Sequence, residues 1–560
     1  MARLLITLLL VGCAAPTYPP APYGYDLHAV IPDLTFDGET GPIRLRSFYE
    51  PSASTSHLLV LRVGAGWCGT CRWHLGHTQE MVDVDPTVQI VDLAVADDDN
   101  VPATTAFLSA YRARMDLVQT LAVDPAFQLR PSLIVDGPLP FLVVIDRRTM
   151  QIRDTLNNPD PDALALSLRT QLKKLNGTAL TPTLSTDGAD GFHRNEWDLL
   201  RDMRLPTAPP PDPTNAKADD AAAASLGRTL FSDAQLSPSG TVSCASCHDP
   251  TGSFADGKPQ AVGVATGDRN APSILFAAHA RWQFWDGRAD SLWAQALGPI
   301  ENPKEIGSSR LFVAHALFDH HRAEYEAVFS SLPDLADTTR FPPAGKPGDP
   351  AFDALTVDDK RAVSTVFANA GKAIAAYERT LRAKPNLLDA YVAGDGNALS
   401  DAQKQSLHTY FLIGCAQCHY GPRLTDDAFH VLRFPTGRRD GQPDRGRADG
   451  IAALLASEFT ASGPFSDGTG PSYAALVASP NTLGAFKTPP IRGVANTAPY
   501  GHGGTLPTLL DVSKAYGTAG LAPTDPAAVG DSEPWLALFL GGHAPELVPF
   551  LDILTATPVP

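Results

Sequence analysis

The chain has 560 residues, enough for several domains with cores of their own, and its apolar share (44%) and charged share (19%) are those of an ordinary globular protein. With 61 acidic residues against 44 basic ones the net charge is −17, which argues against nucleic acid as a partner and against a basic membrane-binding surface.

The amino terminus opens Met-Ala-Arg and runs through an apolar stretch, 4–12, to Cys13. That stretch is too short to span a bilayer, so residues 1–25 read as an export signal and a proline-rich tether. Leu10-Val-Gly-Cys13 resembles a lipobox, which predicts a lipidated Cys13 and a periplasmic lipoprotein touching the membrane only through that anchor. The alternative is an ordinary cleaved signal with an incidental cysteine. No later run is long and apolar enough for a membrane helix.

Residues 26–175 alternate strand and helix patterns. His57–Val63 is a short buried strand that runs into Gly64-Ala-Gly-Trp-Cys-Gly-Thr-Cys71, with a helical segment following to about Val82. Val88–Val95 and Phe141–Ile145 are further strands, and Ala103–Met115 a second helix. This order predicts an α/β domain with a mainly parallel core. Trp67-Cys-Gly-Thr-Cys71 after a strand, with Pro140 before another, resembles the thioredoxin-like superfamily and its exported thiol–disulfide branch in particular. The resemblance implies a redox-active dithiol with Cys68 as nucleophile, Cys71 as resolving thiol and Pro140 beside them. On the residues alone the pair is also open to reading as inert or metal-binding.

Residues 176–217 turn polar and proline-rich, ending in Pro206-Thr-Ala-Pro-Pro-Pro-Asp-Pro213, and read as a semi-rigid linker. Beyond it helical patterns dominate. Val357–Leu381 has helical spacing, and Leu399-Ser-Asp-Ala-Gln403 carries a capping box for a helix running to Cys415.

Apart from Cys13 the cysteines fall into three Cys-x-x-Cys pairs, leaving none for a long-range disulfide. Two of the pairs are followed at once by histidine: Cys244-Ala-Ser-Cys247-His248 and Cys415-Ala-Gln-Cys418-His419. In such a pentapeptide the thiols add across haem vinyl groups and the histidine binds the iron, so two covalent haem c groups are expected.

Other landmarks surround these sites: Leu226-Gly-Arg-Thr-Leu-Phe231, Leu236-Ser-Pro-Ser-Gly240, Arg269-Asn-Ala-Pro272, Phe284-Trp-Asp-Gly-Arg288, Gln295, Pro299, Glu305, Ile374–Leu381 and Phe486-Lys-Thr-Pro489 running to Ala498-Pro-Tyr-Gly-His502. Their order resembles the bacterial di-haem cytochrome c peroxidase and MauG superfamily, over about Leu226 to the end. The resemblance implies a multidomain protein in which two mostly α-helical cytochrome c-type domains, 218–395 for the peroxidatic haem and 396–560 for the electron-transfer haem, follow the thioredoxin-like domain.

It also implies roles. Trp285 stands between the haems. Gln295 and Glu305 form the distal pocket of the peroxide-binding haem. Asn270, with the carbonyls of Thr497 and Pro499, holds a calcium ion. The peroxidase branch places a methionine ligand fourteen residues after the histidine of Pro-Tyr-x-His; counting from His502 gives Tyr516, as in MauG-like enzymes. Methionine occurs only at 1, 81, 115, 150 and 203, so Met203 alone could fold in from the linker as an alternative. Enzymes that need reductive activation carry a histidine just before Arg-Asn-x-Pro, whereas Ala261–Gly267 has none, so the haem on His248 is expected to be open. Gly493 departs from the asparagine usual after Arg492.

The expected function is a di-haem peroxidase that reduces hydrogen peroxide and passes oxidising equivalents through Trp285 to a His/Tyr haem. The electrons return from a small cytochrome or copper protein, or from a partner protein that is itself modified. The alternative is a thiol–disulfide oxidoreductase or redox relay whose haem module only transfers electrons.

Overall fold

Strand β3, Leu58–Ala65, is the axis of the N-terminal unit in the computed structural model, and all of its residues except Gly64 are buried. Leu59, Leu61 and Val63 face one apolar cluster while Leu58 and Val60 face another, so both sides of the strand are covered. That is why its sequence reads as a continuous apolar run instead of an alternating one. The structure describes residues 16–559 apart from 69–70, 72–74, 76–86, 100, 116, 118, 130–138, 158–160, 177–189, 191, 193, 439, 519–524 and 533–543. Cys13, most of the helix expected up to Val82, and part of the expected linker lie outside the described residues.

The sheet has seven strands. With β1 Thr35–Gly38, β2 Gly41–Arg44, β4 Val88–Ala96, β5 Thr120–Val123, β6 Phe141–Asp146 and β7 Gln151–Asn157, the order is β2-β1-β5-β4-β3-β6-β7. Only β3–β4 and β4–β5 are parallel; β1–β2, β1–β5, β3–β6 and β6–β7 are antiparallel. The expected mainly parallel core is therefore corrected to a mixed sheet. The physical reason is loop length, since β1–β2 and β6–β7 are joined by turns too short for a parallel crossover. A helix covers Thr105–Met115, close to the expected one, and Pro161–Asn176 adds another.

The chain divides into two compact units, 1–184 and 185–560. The second is built on Val357–Glu378, a 22-residue helix. Thr356 caps it by accepting from the Asp359 N–H, and Asp358 and Asp359 complement its dipole in the first turn. Its apolar residues join Leu226, Leu230, Trp293 and Leu297 in one buried cluster. A second cluster gathers Leu388, Tyr391, Leu407, Tyr410, Phe550 and Leu554. The helix Asp401–Leu412 opens with the expected capping box of Ser400 and Gln403, then gives way to a short 3-10 turn at Cys415–Gln417.

Part of the expected linker is ordered structure. Arg194–Asp202 is a helix, and Phe192, Leu200 and Met203 are fully buried in the second cluster. Trp197 stacks on Tyr391 with ring centroids 5.4 Å apart. Arg492 fastens the same region by donating to the Met203 carbonyl and to Asp389 at 2.9 Å. The next residue, Gly493, has φ +92°, a left-handed conformation that glycine and asparagine tolerate best, which accounts for glycine where asparagine is usual.

Candidate active site

The two Cys-x-x-Cys-His segments fold alike. Each begins with a 3-10 turn, Cys244–Ser246 and Cys415–Gln417, in which the first cysteine's carbonyl accepts from the histidine N–H four residues on at 3.0 Å. None of these four cysteines forms a disulfide. His248 Nδ1 lies 3.3 Å from the Phe254 carbonyl, and His419 Nδ1 lies 3.0 Å from the Leu424 carbonyl. A carbonyl can only accept, so Nδ1 carries the proton and Nε2 keeps a lone pair for a metal. Burial also lowers the proton affinity of both rings, which favours the neutral, ligating form. Two thiols and one neutral imidazole on a single turn suit a covalently attached haem at each site.

The second of these turns opens onto a cavity of about 220 Å³ whose lining includes His419, Cys418, Trp285, Lys487 and Tyr516. Tyr516 Oη is 3.2 Å from His419 Nε2, within hydrogen-bonding distance, so the two residues expected to serve one iron meet in this cavity. Burial and the nearby thiols hold its phenol well above the ordinary range. The Phe434 ring packs edge-on to Tyr516, with centroids 5.2 Å apart. Tyr410 Oη donates to the His419 carbonyl from below. Met203 is core packing, fully buried, and among the described residues no methionine lines the cavity.

Trp285 is placed at this cavity from the other side in sequence. Its indole N–H donates to the Asn270 carbonyl at 3.0 Å, and its own carbonyl accepts from the Lys487 N–H at 2.8 Å. Its ring meets His502 edge-on at 6.5 Å, and His502 stacks on Phe486 at 3.7 Å. Asn270, Thr497 and Pro499 line the same cavity, and Asn270 Nδ2 donates to the Lys258 carbonyl at 2.9 Å. A side-chain oxygen and two backbone carbonyls would be donors of the hard type that calcium takes.

Glu305 belongs to the first site, where its charge acts on both Cys244 and Cys247. Burial raises its proton affinity above the ordinary carboxylate range, opposed by Arg288 and by Asn302, whose Nδ2 donates to Oε1 at 2.6 Å. Gln295 is partly buried on the helix Leu292–Glu301, which ends in the turn that presents Glu305: Ile306 N–H reaches the Pro299 carbonyl at 3.1 Å. Arg288 donates to Asp286 at 2.9 Å and lies over the Phe284 ring at 3.6 Å. Arg288 and Asn302 are site residues to which sequence reasoning gave no role; for Arg288 the signal was its place in Phe284-Trp-Asp-Gly-Arg288.

The histidine-free loop lies directly on Glu305. Val264 N–H donates to the Glu305 carbonyl at 2.8 Å and Ala265 N–H to the Lys304 carbonyl at 3.0 Å. At Gly263 a Cβ would come within 2.6 Å of Glu305 Cα and 2.7 Å of its carbonyl carbon, so only glycine fits. The other histidines of residues 218–395 are engaged elsewhere or exposed. His315 Nε2 is 3.1 Å from the Phe341 and Pro342 carbonyls, His321 Nε2 is 2.7 Å from Asp233, His320 is exposed, and His279 sits among Arg379, Arg382 and Arg423.

Known proteins resemble the chain over this region. A family profile described as di-haem cytochrome c peroxidase matches residues 221–397. The chain is 34% identical to the cytochrome c551 peroxidase of Pseudomonas aeruginosa over 311 residues, covering 54% of this chain and 74% of that one. It belongs to the di-haem cytochrome c peroxidase and MauG family. As a member it is a haem peroxidase-type oxidoreductase, with the two c-type haems that its paired thiol–imidazole turns fit. The MauG protein of Methylorubrum extorquens is 31% identical over 335 residues, 59% of this chain and 78% of that one. A solved structure titled a putative thiol:disulfide interchange protein DsbE from Chlorobium tepidum matches at 24% identity and a TM-score of 0.22, covering 26% of this chain and 98% of that one.

The N-terminal unit of this family member carries its cysteine pair just after β3. Cys68 and Cys71 form a disulfide, with Cα atoms 5.2 Å apart. Cys71 N–H points at Cys68 Sγ from 3.1 Å, and Cys68 Sγ lies 3.8 Å from the carbonyl of Leu139, the residue before Pro140. A backbone donor aimed at one sulfur is what stabilises a thiolate there.

Proposed function

We propose that this enzyme is MauG-like: His248 would hold a haem that is open to hydrogen peroxide and supplies its reduction, His419 and Tyr516 would hold a second haem that stores oxidising equivalents, and Trp285 would lie on the path between them. The observation that carries the reading is Tyr516 Oη standing 3.2 Å from His419 Nε2 in a cavity whose described lining has no methionine. The loop Ala261–Gly267, which would have to offer a nitrogen to close the first site, has none to offer.

When bound, the haems supply the iron at which peroxide is activated and the capacity to store oxidising equivalents. The chain's own groups then divide the work. Glu305, as carboxylate, takes the proton from the inner peroxide oxygen and hands it to the outer one, which leaves as water. Gln295 orients the peroxide, and Arg288 and Asn302 hold the Glu305 carboxylate. Trp285 lies on the route to the second site, fixed through both its indole N–H and its carbonyl. Tyr516 offers a hard oxygen ligand, which favours high oxidation states. Asn270, Thr497 and Pro499 hold one calcium ion beside Trp285. Reducing one peroxide to two waters consumes two electrons and two protons. The electrons come from a small cytochrome, as the name of the Pseudomonas relative suggests, from a copper protein, or from a residue on a partner protein that is thereby modified.

In this reading 218–395 and 396–560 are the two cytochrome domains, and the protein is exported and anchored through Cys13. A second reading draws on the Cys68–Cys71 disulfide and its backbone donor: the N-terminal unit exchanges thiols on its own account and the haem module relays electrons. Peroxide added to the diferric protein, without prior reduction, tests the first reading. Both haem spectra should change, and Tyr516→Phe should alter only the low-spin spectrum. A diferric protein indifferent to peroxide would overturn the open-site assignment.

A further inference from the structure

Beside the second haem site lies a buried charge cluster that the mechanism above does not use. Lys487 is the last residue of the short strand Phe486–Lys487; its side chain is only 11% exposed and lines the cavity shared by Cys418 and His419. Its Nζ is 3.9 Å from Asp427 Oδ1, beyond hydrogen-bond reach. The other Asp427 oxygen is taken by Arg423 Nη2. Arg423 is itself nine-tenths buried, its Nη1 has no hydrogen-bond partner, and neither has Asp427 Oδ1. Two cations therefore share one carboxylate.

The neighbours answer Arg423 but not Lys487. Asp426 is engaged by His430 at 3.2 Å and its charge acts on Arg423. Burial, with Arg423, Arg382 and Arg379, pushes His279 down to about 4, so it is neutral near pH 7. Lys487 itself is pushed down to about 7 by burial and by Arg423. An enclosed, uncompensated cation is strongly unfavourable unless an anion joins it. The haem attached at Cys415 and Cys418 brings two carboxylates, its propionates, on the edge opposite the thioether bonds.

We infer that Lys487, backed by Arg423 through Asp427, is the binding site for a propionate of the second haem, which turns that edge toward the Trp285 backbone. The Lys487 N–H bond to the Trp285 carbonyl makes the two neighbours by construction. The inference rests on a haem being held at this site, as in the reading above.

The test is a potentiometric titration of the holo-protein, following the low-spin haem in wild type, Lys487→Gln and Asp427→Asn. Pyridine haemochrome content is measured on each preparation. Removing the cation next to a propionate favours the ferric state, so Lys487→Gln shifts the potential negative. Removing the carboxylate that offsets the cations does the reverse, so Asp427→Asn shifts it positive. Opposite shifts support the site, because general loosening moves both variants the same way. With haem content intact, an unchanged potential in Lys487→Gln, or shifts of one sign in both variants, overturns it. Should Lys487→Gln fail to retain haem, Lys487→Arg should restore both content and potential, and no rescue counts against the site. Wild type lacking haem at Cys415 and Cys418 would instead defeat the haem assignment on which this rests.

Discussion

Gly263→Ala probes the site without touching a catalytic group. The added methyl would overlap the Glu305 carbonyl oxygen first and start 2.6 Å from its Cα, whereas ordinary contact begins at 3.4 Å, so the Glu305 backbone must yield by about 1 Å. Gly263 does not occupy the left-handed region, so alanine meets no torsional penalty and the displacement is the whole effect. Misplacing a catalytic group by about 1 Å costs on the order of 10²-fold in rate, about 2.7 kcal/mol of barrier. Stopped-flow mixing of the diferric variant with peroxide should thus give an initial reaction slowed by roughly 10²-fold, with the haem content and the low-spin spectrum as in wild type. A rate within about threefold of wild type, a difference below 1 kcal/mol, would refute the positioning of Glu305 by this loop.

Three further outcomes follow from the same geometry. Because burial raises the Glu305 proton affinity and the carboxylate is the working form, peroxide cleavage should rise with pH through a midpoint above the ordinary carboxylate range; Glu305→Gln should flatten that rise, seen in a pH series of the same stopped-flow rate. Removing calcium with a chelator should leave peroxide reacting at the first haem while the second haem's spectrum stops responding, and added calcium should restore it; a second haem that still responds would place the ion elsewhere. Cys68→Ser should abolish thiol exchange but keep peroxide turnover within about twofold, a change of only about 0.4 kcal/mol; a collapse of turnover would favour the coupled dithiol reading.

What could be read in the sequence was whatever local chemistry fixes. Covalent haem attachment requires two thiols and an imidazole on one turn, so Cys244–His248 and Cys415–His419 were legible at once. Tyr516 was found by counting from His502, and the helix bearing it, Leu509–Thr518, brings it to His419 across 97 residues. Ser400 and Gln403 declared their helix because a capping box is complete within four residues. Contacts between distant segments were not legible. Gly263 against Glu305 is a matter of closeness that no residue type announces, and Lys487 meets Asp427 only through folding. The strands β1, β2 and β5 are four residues each and are held by their sheet neighbours more than by their own pattern. The helix Arg194–Asp202 was hidden by the prolines that follow it, although Phe192, Leu200 and Met203 are its anchors.

The Cys68–Cys71 disulfide has a bearing on how the chain matures. It demonstrates that a Cys-x-x-Cys span here closes on itself with ordinary backbone spacing, and two more spans of the same length must not do so. Six thiols admit fifteen complete pairings, and closing 244 with 247 or 415 with 418 forfeits a haem. Oxidant added before haem attachment is thus a competitor for the same sulfurs, and the order of those two events decides whether the polypeptide becomes an enzyme or an inert, locally cross-linked protein.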